Sequence, residues 1–77
     1  MKIQVFAKLK DFFKREFKIE VKISTIADLR EYMGMVNPDA VQLLKLCRFA
    51  VHDEFVSDHY QLDGNEHVIV IPPSSGG

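Results

Sequence analysis

Residues 67–71 read HVIVI, a nearly continuous apolar run, and residues 72–77 that follow read PPSSGG. An apolar run of this length is typical of a central strand that is covered on both faces. The segment before it, residues 62–65 (LDGN), is rich in turn-forming residues and predicts a bend that leads into the strand. The sequence therefore predicts a buried strand that ends at two prolines.

Three further elements are predicted in the first part of the chain. Residues 3–8 (IQVFAK) alternate with period two and predict a strand, whereas residues 9–17 place apolar side chains at helical spacing and predict one or two helical turns. Residues 17–23 (FKIEVKI) alternate strictly, and this is the clearest strand prediction in the chain. Its inward residues are predicted to be Phe17, Ile19, Val21 and Ile23.

Two helices are predicted in the middle of the chain. Thr25 stands three residues before Asp28, which is the spacing of a capping box at a helix start. That helix is expected to end at Gly34, and a second one to begin at Asn37, with proline at its first helical position. The residues expected to face inward are Ile26, Leu29 and Met33 in the first helix, and Ala40, Val41, Leu44 and Cys47 in the second.

Short strands are predicted at 48–52 and 55–56, so that strands and helices alternate as in a small α+β roll. The expected architecture is a mixed sheet in which the first and last strands are adjacent and central, with the helices packed on one face. We predict one folded domain over residues 1–71 and a flexible tail over residues 72–77.

Composition restricts the class of protein. A chain of 77 residues is one domain, and no apolar stretch approaches the roughly 20 residues that span a bilayer. The start lacks the apolar core of a signal peptide, and a single cysteine excludes an internal disulfide. These features predict a cytoplasmic protein with no membrane association.

Charge is distributed unevenly along the chain. Residues 1–22 carry a net charge of +4, residues 23–48 carry no net charge, and residues 49–77 carry a net charge of −5. The uneven distribution is consistent with an ordinary solvated surface, or with an acidic region around the tail that steers it toward a basic partner pocket. An acidic C-terminal part disfavours nucleic acid as a ligand.

The closing pair Gly76-Gly77 caps no predicted helix and closes no predicted turn. Two residues without side chains can pass through a slot that any Cβ would block, and the terminal carboxylate is ionised at neutral pH. We therefore predict that the Gly77 carboxyl is the reactive group of the protein. An appended artificial tail and a merely frayed terminus are the simpler interpretations that the residues leave open.

At this point the chain resembles the small subunit of molybdopterin synthase, whose C-terminal signature is approximately D-G-D-E-V, an apolar strand and P-P-x-x-G-G. The matching residues are DGNEHV at 63–68, the strand to Ile71 and PPSSGG at 72–77. The chain departs from the pattern at Asn65, where the family usually has Asp, and at His52, where Asn is common. The resemblance implies a β-grasp, ubiquitin-like fold.

The resemblance also implies a mechanism in which the small subunit is not an enzyme by itself. An ATP-dependent activating enzyme would adenylate Gly77, and a sulfur donor would convert it to a thiocarboxylate. The tail (Pro72, Pro73, Ser74, Ser75 and Gly76) would then enter a large catalytic subunit within a 2+2 heterotetramer. There the sulfur would be donated to a cyclic pyranopterin to form a dithiolene. No bound cofactor is expected, and the modified states would be thioglycine and AMP-glycine.

A docking surface is also predicted, because a six-residue tail cannot hold a partner by itself. Period-two logic places Ile69 and Ile71 on one face of the last strand and, if the end strands are neighbours, Phe6 on the same face. These three residues, defined here as the apolar patch, would contact the partner, unless a helix or loop covers them.

Other functions remain open on the sequence alone. They are sulfur delivery to thiazole, cysteine or tRNA, and protein modification through an isopeptide bond at Gly77. His52, His59 and His67 lack metal-ligand spacing, and Cys47 is interpreted as buried packing. We therefore predict no metal site.

Overall fold

The computed structural model describes residues 1–74 of the chain. Five strands form one sheet: β1 (Lys2–Val5), β2 (Glu16–Lys18), β3 (Arg48–Val51), β4 (Glu54–Val56) and β5 (His67–Ile71). Two α-helices, α1 (Ile26–Val36) and α2 (Val41–Leu44), and two 3-10 helices, Ala7–Asp11 and Pro38–Ala40, complete the described fold. Within residues 1–74, every helix is too short to span a bilayer.

The sheet has the strand order β2-β1-β5-β3-β4. The first and last strands are parallel neighbours, with Val5 opposite Val70, and the other strand pairs are antiparallel. The predicted mixed sheet, with its end strands adjacent, is therefore confirmed.

The hydrophobic core lies between one face of this sheet and the two helices. Ile3, Val5, Val68 and Val70 are fully buried, and they belong to the same cluster as the inward residues of the helices. We call this the inner face of the sheet, and the opposite side the outer face. The prediction that the helices pack on one face is confirmed.

Helix α1 begins as the sequence predicts but ends later. The Asp28 backbone N–H donates to Oγ1 of Thr25 over 3.2 Å, which confirms the cap. The helix continues through Gly34 to Val36, so the predicted end was wrong. A Cβ on Gly34 would lie 3.1 Å from Cγ2 of Val41, so glycine here permits the close approach of the two helical segments.

The strand predicted over residues 17–23 was largely wrong, because β2 ends at Lys18. The N–H of Ile19 donates to the Met1 carbonyl over 2.9 Å, and the last residue pair of β1 and β2 is Lys2 with Lys18. Ile19 and Ile23 are buried as predicted, whereas Val21 is 51% exposed. The extent of pairing with β1, and not the alternation of residues, sets the length of β2.

The first strand ends earlier than predicted, at Val5 instead of residue 8, because of the backbone geometry at the next residues. Ala7 has φ of 53°, in the left-handed region that costs a non-glycine residue roughly 1 kcal/mol, and it turns the chain out of β1 into a 3-10 helix. The predicted helix over residues 9–17 is this 3-10 helix over Ala7–Asp11.

The second predicted helix does begin after Asn37, whose Oδ1 accepts from the Asp39 N–H. Cys47 is buried, but it lies after the helix ends.

Both tight turns of the sheet depend on unusual backbone angles. Val51 pairs with Glu54, and the two residues between them, His52 and Asp53, both have positive φ, as in the hairpin turns that match strand twist. Before β5, Gly64 has φ of 99°. The first turn joins β3 to β4 in register, and the second precedes β5.

Candidate functional site

Strand β5 supports the root of the tail. It pairs with β1 on one side and with β3 on the other, and Ile71 at its end lies opposite Arg48. Pro72 and Pro73 have no backbone N–H to donate, so strand pairing cannot continue through them in the same way. The chain therefore leaves the sheet from β5, a strand that is paired on both sides.

The structure places the predicted tail residues in different environments. Pro72 is buried against the body of the protein, whereas Pro73 and Ser74 are exposed. The predicted tail thus includes one residue that packs with the domain. Ser75, Gly76 and Gly77, including the predicted reactive carboxyl, lie outside the described residues.

The turn before β5 is held by the carboxylates of Glu66 and Asp63. Glu66 is buried, and its two carboxylate oxygens accept the backbone N–H groups of Asp63 over 2.7 Å and Gly64 over 3.0 Å. Asn65 donates its N–H to Oδ1 of Asp63 over 2.8 Å. The segment that resembles the family signature therefore forms the turn that leads into β5. Asn65, where the family usually has Asp, is compatible with this turn because its backbone N–H makes the contact.

The three residues of the apolar patch lie on the outer face. Ile69 and Ile71 are half-buried, and Phe6, which is 39% exposed, continues the extended backbone of β1. Because Val5 is opposite Val70 in parallel register, Phe6 lies beside Ile71. The structure brings the predicted residues together and leaves each of them partly accessible.

A groove joins the apolar patch to the start of the tail. Its volume is about 730 Å³, and we call it the tail-root groove. Phe6 and Ile71 belong both to this groove and to the patch. The lining residues are Phe6, Ala7, Lys8, Leu43, Ile71, Pro72, Pro73 and Ser74.

Sequence reasoning missed two residues that extend the apolar surface across the sheet. Ala50 lies opposite Ile69 on one side and Phe55 on the other. Phe55 is 50% exposed, and the Arg48 guanidinium lies 3.7 Å from the centre of its ring. The available signal was the alternation of Glu54, Phe55 and Val56, which is too short to show which side of the strand is covered.

The hypothesis of an acidic region around the tail was wrong. Val51 lies opposite Val68, so the β3–β4 turn with Asp53 is at the beginning of β5, as is Glu66. The tail leaves from the other end, where Arg48 is opposite Ile71 and Lys8 lines the tail-root groove. The distribution of charge along the sequence does not show which charged residues lie near the exit of the tail, because residues close in sequence can lie at opposite ends of the sheet.

The remaining reactive side chains do not form a second site. Within residues 1–74, no group of three His, Cys, Asp or Glu side chains is placed to hold a metal ion. His67 Nε2 lies 3.0 Å from Gln4 Oε1 on the outer face. Burial raises the pKa of the Cys47 thiol to about 11, against a smaller opposing effect of the Arg30 guanidinium. A protonated, buried thiol of this kind is a poor nucleophile.

Comparison with known proteins adds a family and two similar folds. The ThiS family model matches residues 3–77, and no curated protein matches significantly. SAMP1 from Haloferax volcanii aligns with a TM-score of 0.80 at 16% identity, over 99% of this chain and 97% of that chain. One chain from the complex of subunits 1 and 2 of molybdopterin-converting factor from Helicobacter pylori aligns with a TM-score of 0.68 at 19% identity, over 99% of this chain and 96% of that chain. These structures share the β-grasp fold of the present chain.

Proposed function

The chain belongs to the ThiS family, and from this premise we propose that it is the sulfur-carrier subunit of a molybdopterin synthase. The observation that carries the proposal is the position of the PPSSGG segment, which follows the central strand β5 directly. In this arrangement the segment starts at a strand that is paired on both sides and ends in two glycines, which have no side chains. We place this function in the cytoplasm.

In the proposed reaction, an activating enzyme joins the Gly77 carboxylate to AMP from ATP and releases pyrophosphate. A sulfur donor then displaces AMP and leaves a thiocarboxylate on Gly77. The sulfur is passed to a cyclic pyranopterin, and water restores the carboxylate. AMP-glycine and thioglycine are thus the two modified states of the chain.

The protein contributes reach and positioning to this chemistry. The five residues after the buried Pro72 extend at most about 17 Å, which would carry Gly77 from a docked surface into a buried site. Pro72 and Pro73 restrict the backbone to extended conformations, so less conformational entropy is lost when the tail enters a partner. Catalytic groups would come from that partner, and the chain would not be an enzyme by itself.

The proposed partner is the large subunit of molybdopterin synthase, in a 2+2 heterotetramer. A similar fold occurs in the Helicobacter pylori complex of subunits 1 and 2 of molybdopterin-converting factor, which supports a two-subunit arrangement. The apolar patch of Phe6, Ile69 and Ile71 would dock, because its partly exposed apolar side chains lie at the root of the tail.

The test is the intact mass of the chain after incubation with ATP, a candidate activating enzyme and a sulfur source. We expect a gain equal to the exchange of one oxygen for sulfur, localised to Gly77. The matched control is the chain that ends at Gly76, which should bind the large subunit and acquire no sulfur.

Other outcomes separate the alternatives. Conjugates with other proteins that survive denaturation and thiols would indicate a ubiquitin-like modifier. A thiocarboxylate that is consumed by thiazole, cysteine or tRNA thiolation enzymes, and not by the large subunit, would indicate a carrier for another pathway. Sulfur transfer by the chain that ends at Gly76 would contradict the carrier mechanism.

A further inference from the structure

The outer face of the sheet combines an apolar centre with a charged margin. The centre consists of Ile69, Ala50 and Phe55 in one row, with Ile71 and Phe6 toward the tail. The margin follows from the same register, because residues opposite one another in a sheet point to the same side. Its charged residues are Lys2, Lys18, Glu16 and Arg48.

This margin, defined here as the basic rim, has the opposite sign to the protein as a whole. Lys2, Lys18 and Arg48 are cationic, and Glu16 is the one carboxylate among the four, whereas the chain has a net charge of −1. Glu16 is also partly neutralised, since its Oε1 lies 3.5 Å from Nζ of Lys2. The charged margin of the outer face therefore holds three cations and one carboxylate, with Lys2 and Lys18 paired on β1 and β2 and Arg48 beside the exit of the tail.

One pair in the rim is unfavourable for folding. Lys2 and Lys18 are directly opposite each other on β1 and β2, and like charges in this position destabilise a sheet by roughly 0.2–1 kcal/mol. Lys18 forms an ion pair with no carboxylate of residues 1–74. The pair contributes positive charge to the outer face and no stability to the fold.

Arg48 places a further cation beside the exit of the tail. It lies opposite Ile71 and over the ring of Phe55, and it too forms no ion pair with a carboxylate of residues 1–74. A guanidinium held over an aromatic ring is oriented before binding, so the arginine side chain loses less conformational entropy when it pairs with a carboxylate.

We propose that the outer face docks a protein surface that has an apolar centre and an acidic rim. The inference rests on the proposed function, since its committed occupant is the large subunit of molybdopterin synthase. Carboxylates of that subunit would face Lys18, Lys2 and Arg48, and would guide the complex into register before the tail enters. A protein is favoured over a polyanion, because four apolar side chains at the centre of the face are exposed or half-buried, whereas the fifth, Ala50, is buried.

The experiment measures association of the full chain with the purified large subunit from the same organism at low and high salt. We expect Lys18→Glu and Arg48→Glu each to lower the association rate constant by about fivefold or more at low salt, and both changes together to lower it by more than about tenfold. The matched control is Lys45→Glu, which changes the net charge equally at an exposed site after α2 and should stay within about twofold of the unmodified chain.

A stability readout separates docking from folding. Lys18→Glu replaces a like-charge pair with an opposite-charge pair, so its melting temperature should be equal or higher while its association slows. Slower association together with lower stability in Lys18→Glu would contradict this assignment, as would association of both rim variants at the rate of Lys45→Glu.

The remaining outcomes distinguish the inference from the proposed function. If the unmodified chain binds the large subunit and the rim variants bind equally well, the acidic-rim proposal is overturned and the carrier proposal stands. If the unmodified chain does not bind the large subunit at all, both are overturned. Comparable binding of a single-stranded RNA oligonucleotide that is lost in Lys18→Glu would make the rim a phosphate site and would also overturn the proposal.

Discussion

The two faces of strand β5 carry similar side chains in different environments. Val68 and Val70 are fully buried beneath the helices, whereas Ile69 and Ile71, one position along, are half-buried on the outer face. The neighbouring strands repeat the contrast, because Phe49 is 1% exposed and Phe55 is 50% exposed. Hydrophobicity alone therefore does not separate residues that hold the fold together from residues available to a partner.

The largest expected effect is the difference in stability between the two phenylalanines. Phe49→Ala should lower the free energy of unfolding by about 3–5 kcal/mol, because it leaves a cavity in the core. Phe55→Ala should lower it by less than about 1 kcal/mol, since the ring is half exposed and its removal leaves no cavity in the core. Urea unfolding of the two variants measures the difference.

Equal destabilisation by the two substitutions would contradict the assignment of Phe49 to the core and of Phe55 to the outer face. Phe55→Leu is a useful control, because it keeps an apolar side chain on the outer face and removes the aromatic contact with Arg48.

A somewhat smaller effect is expected on docking when a charge is placed in the apolar patch. If the proposed large subunit is the partner, Ile71→Asp should weaken its binding by at least about 30-fold, or about 2 kcal/mol, because the change puts a carboxylate at the root of the tail. Circular dichroism should show that the fold is retained. Calorimetric titration measures the affinity.

Val21→Asp provides the matched control for this change. Val21 is an exposed apolar residue in the loop after β2, outside the patch, so the same substitution there should leave the affinity unchanged. Full binding by Ile71→Asp would exclude Ile71 from the interface.

The smallest effect is confined to alkaline pH and tests the covered side of the sheet. Burial raises the pKa of Cys47 from 9.0 to about 11, so between these values the unfolded chain loses the proton that the folded chain keeps. The contribution of the thiol to stability is therefore fully present below pH 9 and falls as pH rises toward 11. The measurement is urea unfolding of the unmodified chain and of Cys47→Ala across this range.

The difference in unfolding free energy between the two proteins should be constant at neutral pH and should shrink above pH 9. Because other groups titrate equally in both proteins, their contributions cancel. A constant difference up to pH 11 would show that the Cys47 thiol is no more buried when folded than when unfolded.

Local patterns predicted several parts of the fold correctly. The Thr25 cap depends on a side chain three residues from its partner, and β5 on an apolar run followed by prolines, so both are encoded over short distances. The same patterns failed where a distant segment decides the result. The alternation of residues 17–23 predicts a strand, but pairing with β1 ends at Lys18, and Val21 is left exposed.

By itself, the sequence determined the family, the central strand and the glycine-terminated segment that defines the proposed chemistry. It also determined the alternation that separates Ile69 and Ile71 from Val68 and Val70. Only the tertiary structure decided which of these faces the helices cover, and that Phe55 lies on the same face as the apolar patch. It also decided that Arg48 and Lys8, and not the acidic residues nearer in sequence, lie at the root of the tail. The physical reason is that strand pairing joins residues far apart in the chain, so the charge and exposure around the tail are properties of the sheet.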